Sequence, residues 1–184
     1  YFYDTKLLSI MAKLIGEQAD AEYYTRMAEE IRVAFNNRFF NEKMRIYSTG
    51  SQTAMSMPLF FGMDDEKYHK EIVDNLVASI EKGNKALTSG DVGYRYLLRV
   101  LEQEGYSELI SEMNSGSDVP GYGYQLSKGA TSLTESWAAL RFVSNNHMML
   151  GHLMEWFFSG AGGIKQYFDE KGECCIEISP DPVK

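Results

Sequence analysis

Apolar residues recur at three- and four-residue steps along most of this chain, the period of an amphipathic helix. Leu7, Leu8, Met11, Leu14 and Ile15 form the first run, and Gly16 is a natural stop. A second helix opens at 17–20 and carries Tyr24, Met27, Ala28, Ile31 and Phe35 on one face, with Phe39 and Phe40 at its end. The turn between them is short, which favours an antiparallel hairpin. After a polar link at 43–50, residues 51–62 read as a short helix of small residues, with Pro58 kinking it or sitting on a turn. Asp64 or Asp65 caps the next helix, whose face is Ile72, Val73, Leu76, Val77 and Ile80. Thr88-Ser89-Gly90-Asp91 has the spacing of a capping box, and Val92, Tyr96, Leu97, Val100 and Leu101 follow it. Ser107 is placed to cap a further short helix ending near Met113.

Residues 114–124 hold the densest set of chain breakers, so the pattern predicts a loop there. Helices are predicted again over 132–141 and 146–158. After the break at Gly160-Ala161-Gly162-Gly163, residues 173–179 read as a strand. A single strand is not stable alone, so its partner is expected outside this chain or at an earlier place that the pattern does not reveal. Paired helices with no alternating strand between them predict an all-α fold of helical hairpins.

Charge narrows the partners. The chain holds 18 Lys and Arg against 26 Asp and Glu, a net charge of -8. Nucleic acid requires a basic face, and an anionic membrane surface favours one. No apolar run has the length to span a bilayer. The two cysteines, Cys174 and Cys175, are neighbours whose side chains point to opposite faces of a strand, so no disulfide framework is expected. His69, His147 and His152 lack metal-ligand spacing, and neither a metal nor a cofactor is expected. The chain begins at Tyr1 and runs at once into a helical pattern, which reads as a cut inside something longer.

The chemistry concentrates in 129–151, where Glu135, Trp137 and His147 stand among small residues. Each has an ordinary alternative. Ser132 and Glu135 have capping-box spacing, so the carboxylate could close a helix N-terminus. Trp137 could be core, and His147 a satisfied polar group near a helix start.

Gly129-Ala-Thr-Ser-Leu-Thr-Glu135-Ser-Trp137, followed by Ser144-Asn-Asn-His147-Met-Met-Leu-Gly151, resembles the end of the catalytic domain of bacterial α-L-rhamnosidases. Gly50-Ser-Gln52-Thr53-Ala54 with Pro58-Leu59, Leu87-Thr-Ser-Gly90 with Gly93, Pro120-Gly-Tyr122-Gly-Tyr124, and Glu155-Trp-Phe157 before Ala161-Gly-Gly-Ile164 resemble further segments of that family, in order. The resemblance implies an (α/α)6 barrel, with residues 1–163 as about its C-terminal half and 164–184 as the start of a C-terminal β domain. It implies inverting hydrolysis of terminal α-L-rhamnose, which requires two carboxyls about 6.5–9.5 Å apart with a water between. Glu135 takes the place of the general base. The general acid belongs to an upstream motif with no match here, so the chain alone is expected to be inactive, its partners being a rhamnoside and the rest of its domain upstream of Tyr1. His147 is implied to bond a sugar hydroxyl. Trp137, Tyr122 and Tyr124 are implied to contact the sugar, the two tyrosines from a glycine-flanked rim. A bacterial protein of the cytoplasm or periplasm is implied. This sequence departs from the family pattern at Thr134 and Ser136, where a Trp and an Arg are usual, and at Tyr122 and Met148, where a Trp and a Tyr are usual. Two alternatives stay open: another (α/α)6-barrel carbohydrate enzyme, and a non-catalytic helical carbohydrate-binding or structural module.

Overall fold

The computed structural model describes residues 1–169 and 172–183. The first two helices, α1 (Phe2–Leu14) and α2 (Gln18–Phe39), are an antiparallel hairpin. Gly16 turns between them at φ +85°, a conformation costly for any residue with a Cβ. Ser9 Oγ stitches the pair, donating to the Ala21 carbonyl at 2.9 Å and lying 2.7 Å from Thr25 Oγ1.

Next comes a small antiparallel pair that periodicity did not reveal, β1 (Phe40–Asn41) with β2 (Ile46–Tyr47). Two residues per strand leave no alternation to detect. In α3 (Gln52–Phe61), Ser51 caps the N-terminus by accepting from the Ala54 amide at 3.3 Å, and Pro58 is accommodated inside the helix. Asp65 caps a short 3-10 turn at 66–68, which leads into α4 (His69–Lys82). The spacing at 88–91 does not form a capping box, because Gly90 is the N-cap of α5 (Asp91–Gln103) and no side chain caps it. Ser107 is the first residue of α6 (Ser107–Ser115), with Tyr106 at the cap.

The core lies where α3, α4, α5 and α6 meet. Met55, Ile72, Leu76, Ile80, Leu97, Leu101, Ile110 and Met113 are fully buried there. Helix α5 contributes most of one face, and α3 crosses it closely at Gly93. A Cβ at Gly93 would sit 2.0 Å from Thr53 Oγ1, so the absence of a side chain sets the distance between these two helices.

Beyond α6 the structure corrects the expected elements. A helix, α7 (Tyr122–Ser127), starts inside the segment read as loop. The helix expected over 132–141 does not form, and 146–158 holds only a 3-10 turn at 148–150 and the four-residue α8 (Leu153–Trp156), which runs into a π-helical turn at 157–161. Ser and Thr side chains account for this by bonding the local backbone, which competes with helix. Thr134 Oγ1 donates to the Ser136 carbonyl at 2.6 Å, Ser136 Oγ accepts from the Ala138 amide at 3.2 Å, and Ser144 Oγ accepts from the Asn146 amide at 3.3 Å. Ala139 adopts φ +50°, which ends any helix there.

The expected strand at 173–179 exists, and its partner lies earlier in the chain, the second of the two places expected for it. β3 (Ile164–Phe168) pairs antiparallel with β4 (Cys174–Ile178), in a register that sets Ile164 opposite Ile178. Side chains on both faces of this hairpin are exposed, among them Ile164, Tyr167, Phe168, Ile176 and Ile178. No helix among the described residues is long and apolar enough to cross a membrane.

Candidate active site

The strip 86–90, just before α5, is where the motif segments converge. Gln52, at the start of α3, is buried and satisfies three backbone groups of this strip. Its Nε2 donates to the Ala86 carbonyl at 2.8 Å, and its Oε1 accepts from the Thr88 and Ser89 amides at 2.9 and 3.0 Å. The Leu87 amide donates to the Pro120 carbonyl at 2.9 Å, bringing in the segment that starts α7. The Ser89 carbonyl accepts the Trp137 indole N–H at 2.6 Å. One residue into the helix, Asp91 Oδ2 lies 3.7 Å from His147 Nε2.

Glu135 and His147 sit on opposite sides of an extended, ladder-like pairing, not on successive helices. The His147 amide donates to the Leu133 carbonyl at 2.8 Å, and the Glu135 amide donates to the Ser144 carbonyl at 2.9 Å. Glu135 Oε2 accepts from the Ser144 amide at 3.0 Å. Ser132 Oγ donates to the Asn145 carbonyl. The capping box is therefore excluded: the Glu135 carboxylate is tied across the loop instead of closing a helix, and its side chain stays exposed.

Trp137 is buried at 8 % exposure, and its faces are taken by other rings. Tyr94 and Tyr122 meet it edge-on, with centroids at 4.8 and 5.2 Å. A sugar platform requires an open ring face, so Trp137 supports the loop from behind. Tyr122 is half-buried, and its hydroxyl is buried without a hydrogen-bond partner. Burial pushes that hydroxyl up to about 12. Tyr124 is partly exposed, with Lys128 Nζ 4.8 Å from its ring centroid. Two positions on a helix lie about 200° apart, so these tyrosines look in different directions and do not form one rim. Tyr94 donates to Asn114 Oδ1 at 2.7 Å, and burial pushes its own hydroxyl well above the usual phenol range.

A charged face of α5 pins the segment that follows His147. Arg95 grips Glu155 with two bonds of 2.9 and 3.0 Å, holding that carboxyl below the usual range. Arg99 and Glu102 hold Ser159 at 3.2 and 3.0 Å. His152 lies between, 6.1 Å from the Tyr94 ring, with Nδ1 buried and unpartnered. Burial, aided by the Arg95 charge, lowers its pKa against the opposing pull of Glu155 and Asp91. A base depressed in the fold contributes stability above its unfolded value, near 6.5, and loses it as pH falls through the folded value. His152→Gln should therefore flatten the fall of the thermal midpoint between pH 7.5 and pH 5. An equal or steeper fall than in the parent would contradict this.

A hollow of about 890 Å³ is lined largely by aromatic residues of α1, α2, α3 and α5, and neither Glu135 nor His147 lines it. A smaller one of about 340 Å³ backs the Glu135 loop, between Lys128, Ser132, Thr134 and Arg141. Among the described residues no group of three His, Cys, Asp or Glu side chains is placed to hold a metal.

The family profile described as the bacterial alpha-L-rhamnosidase 6 hairpin glycosidase domain matches residues 1–161. The chain belongs to this rhamnosidase family.

Its relatives agree. An alpha-L-rhamnosidase of Formosa agariphila is 29 % identical over 98 % of this chain, and one of Streptomyces avermitilis is 28 % identical over 89 %. The alpha-L-rhamnosidase structure from Dictyoglumus thermophilum superposes on the whole chain with TM-score 0.86 and 31 % identity. The Streptomyces avermitilis alpha-L-rhamnosidase complexed with L-rhamnose superposes on 99 % of it with TM-score 0.85 and 26 % identity. The chain spans only about a fifth of these proteins: 20 % and 17 % of the two relatives, 21 % and 18 % of the two structures.

Within the rhamnosidase family chain, Glu135 and His147 are brought onto one loop, Tyr124 stands apart on α7, and Trp137 and Tyr122 lie beneath. Gln52 and Asp91 were not singled out from sequence as site residues. Gln52 lay inside a matched motif segment, which was the one available signal for it.

Proposed function

We propose that this chain is part of the catalytic domain of a longer glycoside hydrolase that removes terminal α-L-rhamnose with inversion, with Glu135 as the general base. The observation that carries the reading is the state of Glu135: an exposed carboxylate fixed by the Ser144 amide on the same loop pairing that presents His147. A base must be held in place yet reachable by the water it activates, and Glu135 meets both conditions. The proton donor is supplied by a second carboxyl upstream, so residues 1–163 form one wall of the site and 164–184 open a β domain. His147 contacts the sugar, while Trp137 and Tyr122 buttress the loop and Tyr124, apart on α7, is left outside the sugar's first contacts.

The test is turnover by the whole protein of aryl α-L-rhamnosides against the matching glucosides and mannosides, with the product anomer read by NMR before mutarotation. Rhamnoside cleavage giving the β anomer is expected. Retention, or cleavage of the other sugars only, would overturn the proposal.

A further inference from the structure

We infer that Asp91 is a positioning residue that fixes the His147 imidazole in the substrate wall. The inference rests on the reading of that wall given above. Among the described residues, Asp91 is the carboxylate within ion-pair reach of His147, with Oδ2 3.7 Å from Nε2. That separation exceeds a direct N–H···O hydrogen bond, so the attraction is one of charge and dipole. Oδ1 is committed elsewhere, accepting from the Val92 amide at 2.9 Å. The carboxylate is thus divided, one oxygen on the first turn of α5 and the other toward the imidazole.

Both partners are rigidly mounted. Asp91 follows the strip that Gln52 clamps, and α5 behind it carries much of the core. The His147 backbone is pinned on two sides, its amide to Leu133 at 2.8 Å and its carbonyl to Leu150 at 3.3 Å. What stays free is the ring itself. The ring is only 22 % exposed, and the Asp91 carboxylate 43 %. A histidine that bonds a sugar hydroxyl must keep one ring nitrogen aimed outward, and the other nitrogen's partner sets which one. At 3.7 Å the Asp91 carboxylate acts on that choice through its charge, favouring the ring orientation that turns Nε2 toward it.

A simpler role exists for an acid at this place, since a carboxylate in the first turn stabilises a helix through its dipole. That role is independent of His147, and the two are separable. In the whole protein, Asp91→Asn should raise KM for an aryl α-L-rhamnoside about tenfold while kcat falls less, the mark of lost ground-state binding. In the His147→Gln background the same change should cost less than about twofold. Asp91→Glu should recover part of the loss. Equal losses in both backgrounds would overturn the inference in favour of the dipole role.

A second measurement needs no hydrolysis. The rate of His147 carbethoxylation by diethyl pyrocarbonate, read by peptide mass spectrometry against His69 in the same molecule, should rise several-fold in Asp91→Asn, because an imidazole released from a carboxylate is more available. An unchanged ratio would overturn the positioning role. Failure to cleave rhamnosides would overturn the functional proposal alone, and the modification rate would still decide Asp91.

Discussion

Glu135→Gln in the whole protein should lower kcat for an aryl α-L-rhamnoside by about two to four orders of magnitude, the range that a positioned general base contributes. The substitution separates chemistry from architecture. Gln retains a carbonyl oxygen that accepts from the Ser144 amide, now 3.0 Å from Oε2, so the loop keeps its tie. The neighbouring backbone bonds between 133–135 and 144–147 do not involve the side chain and persist. What the amide loses is the capacity to take a proton from water. KM should therefore stay within a few-fold of the parent. Near-normal turnover would sink the assignment of the base. Glu135→Ala is the weaker test, because it removes the tie and the base together.

Gly93→Ala should destabilise the chain by about 2 kcal/mol, although alanine is the better helix former. Two effects oppose. Alanine in a helix interior gains about 1 kcal/mol over glycine. Overpacking costs about 3 kcal/mol when neighbours cannot retreat. Here the new methyl would lie 2.0 Å from Thr53 Oγ1, 2.7 Å from Cγ2 and 2.8 Å from Cβ, so rotating the Thr53 side chain does not clear it. The α3–α5 crossing must open, and with it the Gln52 clamp on the strip that holds Trp137. A second change, Thr53→Ala, removes Oγ1 and Cγ2 but leaves Cβ, and should return about half of the loss. Urea unfolding of the two single variants and the double variant measures this. Additivity within about 0.3 kcal/mol would show that the contact is not the cause.

Helices α4 and α5 were legible because each carries an apolar stripe that the fold buries, as Ile72, Leu76 and Ile80 do on α4, whereas α1 was legible from the same period although Leu8, Met11, Leu14 and Ile15 stay exposed. Past Ser115 the stripe no longer decides. Residues 132–147 contain Leu133, Trp137, Leu140 and Val143 at near-helical spacing, yet Ser132, Thr134, Ser136 and Ser144 spend their hydroxyls on nearby backbone and hold the chain in a series of bends and turns. β3 was hidden for another reason. Its identity rests on the register with β4, and Lys165 and Gln166 break in it the kind of β-branched and apolar run that made 173–179 readable as a strand. In the site, Glu135 and His147 were visible as chemistry on a motif. Gln52 was not visible as an anchor, because it reaches backbone groups more than thirty residues away. The spacing between Asp91 and His147 likewise carries no local signal.

The bond from the Trp137 indole to the Ser89 carbonyl has a consequence for how this loop can diverge. The acceptor is a main-chain oxygen, present whatever residue occupies position 89. Drift there leaves the anchor intact, whereas the donor exists only while position 137 is tryptophan. The tether is thus one-sided under mutation. A change beside Glu135 does not touch this bond, so the peg that holds the loop to the strip before α5 stays where it is.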